Sequence, residues 1–178
     1  MKKITLAFGM AAIGLVACSS QDVHAATATA TMDVSATVEA SCTIQTAPLS
    51  FGTYRPTDSA GLSSQAAFTL KCSDGAAPKV SIQAANNNFD SATGTRKLSN
   101  TAQTATLDYV LFQPTDNTPN SACGTFGPSS AIWGPTTDFG LTGLSFTGSN
   151  YNICGFLSGL QNKPAGDYKD TVTVSVSF

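Results

Sequence analysis

The end of the chain alternates without a break. From Val172 onward the even positions Val172, Val174, Val176 and Phe178 are apolar, and the odd positions Thr171, Thr173, Ser175 and Ser177 are small hydroxyl residues. A period of two with β-branched residues predicts a strand with one buried face. Pro164-Ala165-Gly166-Asp167 supplies the turn that opens it. No hairpin sequence follows Phe178, so this apolar strand is expected either to be paired on both sides or to leave a sticky edge. It is then either the last strand of a complete sandwich or a strand whose neighbour comes from another molecule.

A second alternation lies near the other end. In Ala28-Thr29-Ala30-Thr31-Met32-Asp33-Val34-Ser35-Ala36-Thr37-Val38-Glu39-Ala40-Ser41-Cys42 the even positions are again apolar and the odd ones mostly polar. The run is about twice the length of a usual strand. It predicts two strands in line, the second leading through Cys42-Thr43-Ile44, and the first, residues 28–38, forming an arm with no hairpin partner beside it. A long bent strand shared between two sheets is the plainer alternative.

Between these ends the pattern stays strand-like. Pro48 to Tyr54 alternates. Gln65 to Cys72 puts Ala66, Phe68, Leu70 and Cys72 on one face, and Lys79 to Ala85 puts Val80, Ile82 and Ala84 on one face before Asn86-Asn87-Asn88 breaks the pattern. Arg96 to Ser99 is a short strand at best. Thr104 to Phe112 is stronger, with Leu107, Tyr109 and Leu111 together, and Tyr151 to Leu160 precedes the final strand. Residues 113–150 are rich in Gly, Pro, Ser, Thr and Asn, with Phe126, Ile132, Trp133, Phe139, Leu141, Leu144 and Phe146 interspersed. Short strands separated by turn signals every ten residues or so predict an all-β sandwich, with no helix, repeat or interdomain linker.

The first residues stand outside this fold. Met1-Lys2-Lys3 is basic, Ile4 to Ala17 is apolar but short for a membrane span, and Val23-His24-Ala25 offers a cleavage site. Residues 1–25 are expected to be a signal peptide cut after Ala25. Leu15-Val16-Ala17-Cys18 is a rival site of lipobox type, which would place a lipid on Cys18. Either way the protein leaves the cytoplasm. The remaining chain, about 150 residues, suffices for one core. The leader takes Lys2, Lys3 and Asp22 with it, so the formal charge passes from −2 to −3. There is no basic patch to suggest a nucleic-acid partner. Charged residues make up 11% of the chain, far below the usual quarter, which disfavours helices laced with ion pairs.

Two residue types narrow the chemistry further. The single histidine, His24, lies in the leader, which excludes triads with a histidine base and histidine-ligated zinc or haem from the exported chain. Of five cysteines, Cys18 is in the leader, and an even number in an exported chain implies disulfides. Cys42, Cys72, Cys123 and Cys154 allow three connectivities. The simplest pairs sequence neighbours and closes two loops of about 30 residues, each worth roughly 3.5 kcal/mol. No Cys-x-x-Cys spacing suggests a metal.

These residues in their order resemble the spore coat protein U domain family, which includes the subunits of archaic chaperone–usher pili. The alternating arm runs into Cys42. Phe51-Gly52-Thr53-Tyr54 and the strand ending in Cys72 follow, then Arg96, Leu107-Asp108-Tyr109-Val110-Leu111-Phe112, Trp133-Gly134 and Gly155. The ending Gly166-Asp167-Tyr168-Lys169-Asp170-Thr171-Val172-Thr173-Val174 is the most specific part. Cys123 and Cys154 are an addition that not every member shares. The resemblance implies an incomplete immunoglobulin-like β-sandwich, lacking its seventh strand and completed by a donor strand from another subunit. The arm, residues 26–38, would be the donor, with Ala28, Ala30, Met32, Val34 and Ala36 entering a neighbour's groove and Val38 as a further candidate. Residues 39–178 would form the receiving domain, with Val172, Val174, Val176 and Phe178 along the acceptor groove. The implied partners are a periplasmic pilus chaperone, an outer-membrane usher and other pilus subunits, and the implied destination is a fibre at the cell surface that serves adhesion and biofilm formation.

Burying a Met or Val side chain yields roughly 1.5–3 kcal/mol and an alanine much less, so Met32 and Val34 are expected to dominate the arm. Two other roles compete with a fibre subunit. One is a secreted spore-coat or matrix protein. The other is a small adhesive subunit using Trp133 and Phe139, although core packing beneath a long loop explains those two rings more simply. Asp167 and Asp170 could mimic an acid/base pair, but a solvated strand start accounts for them. No catalytic residue, cofactor or metal is expected.

Overall fold

In a computed structural model of the chain, residues 26–84, 88–136 and 138–178 are described. Residues 1–25, where the signal peptide and Cys18 were expected, and Ala85, Asn86 and Asn87 lie outside them. The chain divides into two units, Met1–Ala36 and Thr37–Phe178. In the first, residues 26–36 are exposed and belong to no strand.

The second unit is all β among the described residues. Its strands are β1 (Cys42–Thr46), β2 (Leu62–Cys72), β3 (Lys79–Ala84), β4 (Phe89–Asp90), β5 (Thr95–Asn100), β6 (Thr106–Phe112), β7 (Phe139–Gly140), β8 (Ser149–Leu157), β9 (Tyr168–Lys169) and β10 (Val172–Ser177). One antiparallel sheet has the order β1-β2-β8-β6-β5-β4, with β9 also paired to β5; the other has the order β10-β3-β7. The core lies between them. Phe68 and Leu70 from β2, Tyr109 from β6 and Tyr151 from β8 meet Val80 and Ile82 from β3, with Trp133 closing one side.

The alternation read from β2 and β3 matches their burial. Phe68, Leu70, Val80 and Ile82 have no exposed surface. β6 departs from simple alternation, because Val110 and Phe112 on its outer side are buried as well. The cover there is the chain after β6. Phe126 stacks between Phe112 and Phe156, with ring centroids 5.3 and 4.9 Å away, and a disulfide from Cys123 to Cys154 pins this chain to β8. The second disulfide joins Cys42 to Cys72, directly opposed residues of β1 and β2.

Two strand expectations are corrected. Pro48–Tyr54 joins no ladder. It is held beside β2 by separate bonds, Ala47 N–H to the Ala67 carbonyl (3.0 Å) and the Ser64 hydroxyl to the Ser50 carbonyl (2.6 Å). Proline brings no N–H to a ladder, and Gly52, at φ 74°, bends the backbone into the left-handed region, so the apolar contacts run Leu49, Phe51, Tyr54 instead of keeping a period of two. At the N-terminal end, residues 28–41 join no ladder, so neither an in-line first strand over 28–38 nor a bent strand shared between the two sheets forms within the described residues.

Candidate functional site: an uncovered margin of the sandwich

Each sheet ends on one strand that meets the same gap. β10 pairs with β3 from Val172↔Ala84 to Ser177↔Lys79 and has no partner on its other side among the described residues. β1 pairs with β2 and likewise has a free side. These two edges come within 8 Å, Cα to Cα, yet exchange no ladder. Their backbone N–H and C=O groups on the facing sides are therefore open to a further strand.

The side chains along the gap share an unusual degree of burial. Val172, Val174 and Val176 on β10, Cys42 and Ile44 on β1, and Leu49, Phe51 and Tyr54 beyond it all pack against the core, but all are only half-buried. In the middle of β2 and β3 the same alternation buries Phe68, Leu70, Val80 and Ile82 completely. At the Tyr54 end the margin deepens into a groove of about 790 Å³, walled by Leu49, Phe51, Tyr54 and Tyr168 with Leu107 and Leu157 beneath. Gly155 in β8 lets this wall sit close on the sheet, since a Cβ there would stand 3.0 Å from the Phe51 ring and 3.1 Å from Leu49. The Tyr54 hydroxyl accepts the Gln161 N–H at 2.6 Å, which fixes that wall.

Of the residues expected from sequence at an acceptor edge, Val172, Val174 and Val176 line the margin together, and Phe178 lies just past the ladder, 57% exposed. Of the arm residues, Ala28, Ala30 and Ala36 are exposed, and Met32, Val34 and Val38 are 83%, 84% and 88% exposed. Trp133 is wholly buried, with Phe139 edge-on to it at 5.2 Å, so these rings form core and not an adhesive surface. Asp167 is exposed, and Asp170 accepts a hydrogen bond from the Tyr109 hydroxyl at 2.6 Å.

Sequence reasoning missed the polar element behind the margin. Arg96 is completely buried. Its Nη2 donates to the carbonyls of Ile82 (2.7 Å) and Trp133 (2.9 Å), bridging from β5 to the opposite sheet, and its guanidinium lies 4.9 Å from the centre of the Phe89 ring. Its Nε and Nη1 find no hydrogen-bond acceptor among the described residues. Burial pushes the Arg96 pKa down, and the neighbouring Tyr109 and Asp170 partly offset this. Burial, then the bond and charge of Asp170, hold the Tyr109 hydroxyl well above the ordinary phenol range. The one sequence signal was spacing: Arg96 sits two residues before Leu98, on the inward face.

No group of three or more His, Cys, Asp or Glu side chains is placed to hold a metal among the described residues. The arrangement is a row of half-buried apolar side chains between two strand edges that pair with nothing further among the described residues.

No curated protein sequence matches the chain. Among solved structures, it is similar to a chain in the crystal structure of the CsuC–CsuE chaperone–tip adhesion subunit pre-assembly complex from the archaic chaperone–usher Csu pili of Acinetobacter baumannii. Identity is 24% and the TM-score 0.52, over 80% of this chain and 40% of that one. The chain therefore spans less than half the length of that relative, and the likeness establishes the fold. A chain from a chaperone–tip adhesin complex of CFA/I fimbriae biogenesis is more distant, at 13% identity and a TM-score of 0.43 over 76% of this chain and 41% of that one. The family model for the Spore Coat Protein U domain matches residues 28–175, most of the chain, and the protein belongs to that family.

Proposed function

We propose that the protein is a structural subunit of a surface fibre of the archaic chaperone–usher type, assembled by donor-strand exchange. The observation that carries this reading is the margin itself, where half-buried apolar residues line a gap between two free strand edges. A strand inserted there would pair its backbone with the free side of β10 and cover Val172, Val174 and Val176 with its own apolar face. The arm has the matching alternation: Ala28, Ala30, Met32, Val34 and Ala36 on one side, polar residues on the other. In the fibre the arm of one subunit fills the margin of the next. Before assembly a periplasmic chaperone lends a strand to the same margin, and an outer-membrane usher then passes the subunit to the growing fibre. Export through the periplasm follows from the leader at residues 1–25. Service in adhesion and biofilm formation is the consequence of a fibre at the cell surface.

Deleting residues 26–38 tests the proposal. The shortened chain should still be captured by its chaperone and keep both disulfides, yet form no heat-labile multimers on an unboiled gel. Failure to recover the chaperone-bound monomer would mean that the arm belongs to its own domain's core.

A further inference from the structure

The final strand reaches the margin by changing sheets. Tyr168 and Lys169 pair with Asn100 and Ser99 of β5 in the larger sheet. Three residues after Lys169, Val172 is already paired with Ala84 of β3 in the smaller one. Only Asp170 and Thr171 make the crossing, and both oxygens of Asp170 are engaged there. Oδ2 accepts the Tyr109 hydroxyl at 2.6 Å, and Oδ1 accepts the Thr171 N–H at 2.8 Å. Tyr109 is 4% exposed, and its ring stands edge-on to Phe51, a wall of the groove, at 5.9 Å between centroids.

Tyr109 is also a member of a row of directly paired residues that crosses the larger sheet: Phe89, Arg96, Tyr109, Leu157 and Leu62. Arg96 in that row grips the opposite sheet through the Ile82 carbonyl, and Ile82 is the partner of Val174. The crossing of the last strand and the strand it pairs with are thus both tied to neighbouring positions of one row. A strand edge fixed at two such points has one register and one depth relative to the gap.

We infer that Tyr109 and Asp170 act as a latch that positions β10 for strand capture, making them positioning residues for assembly although neither belongs to the strand edge that the donor would pair with. The inference rests on the reading of the margin as an acceptor. Removing the Tyr109 hydroxyl leaves the apolar packing of its ring intact and frees the crossing. Replacing Asp170 by Asn keeps an acceptor but removes the charge that partly offsets buried Arg96.

The test uses the full mature chain and a fluorescein-labelled peptide of residues 26–38. Tyr109→Phe and Asp170→Asn are compared with Val174→Asp, which blocks the margin, and with Asn152→Ala, which removes a hydrogen bond to the Ser121 carbonyl on the outer side of β8. The latch predicts that Tyr109→Phe weakens peptide binding by roughly fivefold to twentyfold, the scale of one hydrogen bond. It also predicts faster amide exchange confined to residues 168–177, whereas Asn152→Ala leaves peptide binding unchanged. Asp170→Asn should lie between Tyr109→Phe and the parent chain in both readouts. Binding by Tyr109→Phe equal to that of the parent overturns the latch while leaving the acceptor reading intact. So does a loss that Asn152→Ala reproduces, because the effect is then general stability. Binding that Val174→Asp does not reduce, or no binding by the parent, overturns the acceptor reading and the latch with it. Should Asp170→Asn fail to fold, Tyr109→Phe decides alone.

Discussion

The inner faces of β2 and β10 are written in the same pattern and end in different states. In β2 the apolar residues Phe68 and Leu70 are wholly buried, because β1 and β8 flank the strand and the opposite sheet covers it. In β10 the residues Val172, Val174 and Val176 point at the same core but remain half-buried, because only β3 flanks the strand. Residue type and spacing do not separate the two strands. The difference lies in the paired neighbours, two for β2 and one for β10 among the described residues. Alternation reports which face turns inward, whereas the depth of burial reports how many strands stand alongside.

The largest contrast is expected from truncating the same kind of contact on each side. Phe68→Ala should cost about 3–5 kcal/mol and leave little folded chain, as measured by urea unfolding. Val174→Ala should cost about 1 kcal/mol in the free chain and roughly twice that in multimers, where a donor would complete its burial. Equal costs in the two states would mean that nothing covers Val174 on assembly.

Removing the Cys42–Cys72 bond by changing both residues to Ser should destabilise the chain by roughly 3.5 kcal/mol, the entropy of a loop of about 30 residues. This bond ties the free edge strand β1 to β2, so amide exchange should rise first in β1 and leave the β6–β8 ladder protected.

Much of the closed side was legible. Ala66, Phe68, Leu70 and Cys72, or Val80 and Ile82, show their common face in the sequence alone. What escaped depended on contacts between distant segments. Val110 and Phe112 read as an outer face, and only the return of Phe126 and the Cys123–Cys154 bond buries them. Leu49 and Phe51 alternate like a strand, but Gly52 and the lack of a partner keep that segment out of any ladder. Arg96 was read only as part of a short strand, and its burial among two carbonyl acceptors and the Phe89 ring is something no local pattern announces. At the margin, Val172, Val174 and Val176 were legible as an apolar face, whereas the free side of β1 facing them needed the three-dimensional arrangement.

A smaller effect concerns pH. The folded pKa of Tyr109 lies above its unfolded value, chiefly through burial and secondly through Asp170. Its contribution is therefore complete below about pH 10 and falls as pH rises further. Melts from about pH 8 to about pH 11 should show a shallower alkaline decline for Tyr109→Phe than for the parent. Tyr151, whose hydroxyl is also shifted upward by burial, contributes to the decline that remains. Smallest of all, Thr173→Asp on the exposed side of β10 should change stability by less than about 0.5 kcal/mol. It should leave the multimer ladder on an unboiled gel intact, in contrast to Val174→Asp.

The central claim is that the gap beside β10 is filled by the arm of another copy. Disulfide trapping tests it most directly. Cysteines are placed singly at Thr31, Asp33 or Ser35 of one copy and at Thr173 or Ser175 of a second. These odd positions share the outward face of paired strands, where opposed Cβ atoms stand about 4.5–5.5 Å apart. The account predicts that at least one combination yields covalent dimers between copies under mild oxidation, and that moving the arm cysteine by one residue to Met32 or Val34 abolishes them. Failure of every combination to link the copies, with both native disulfides intact and multimers present, would contradict it.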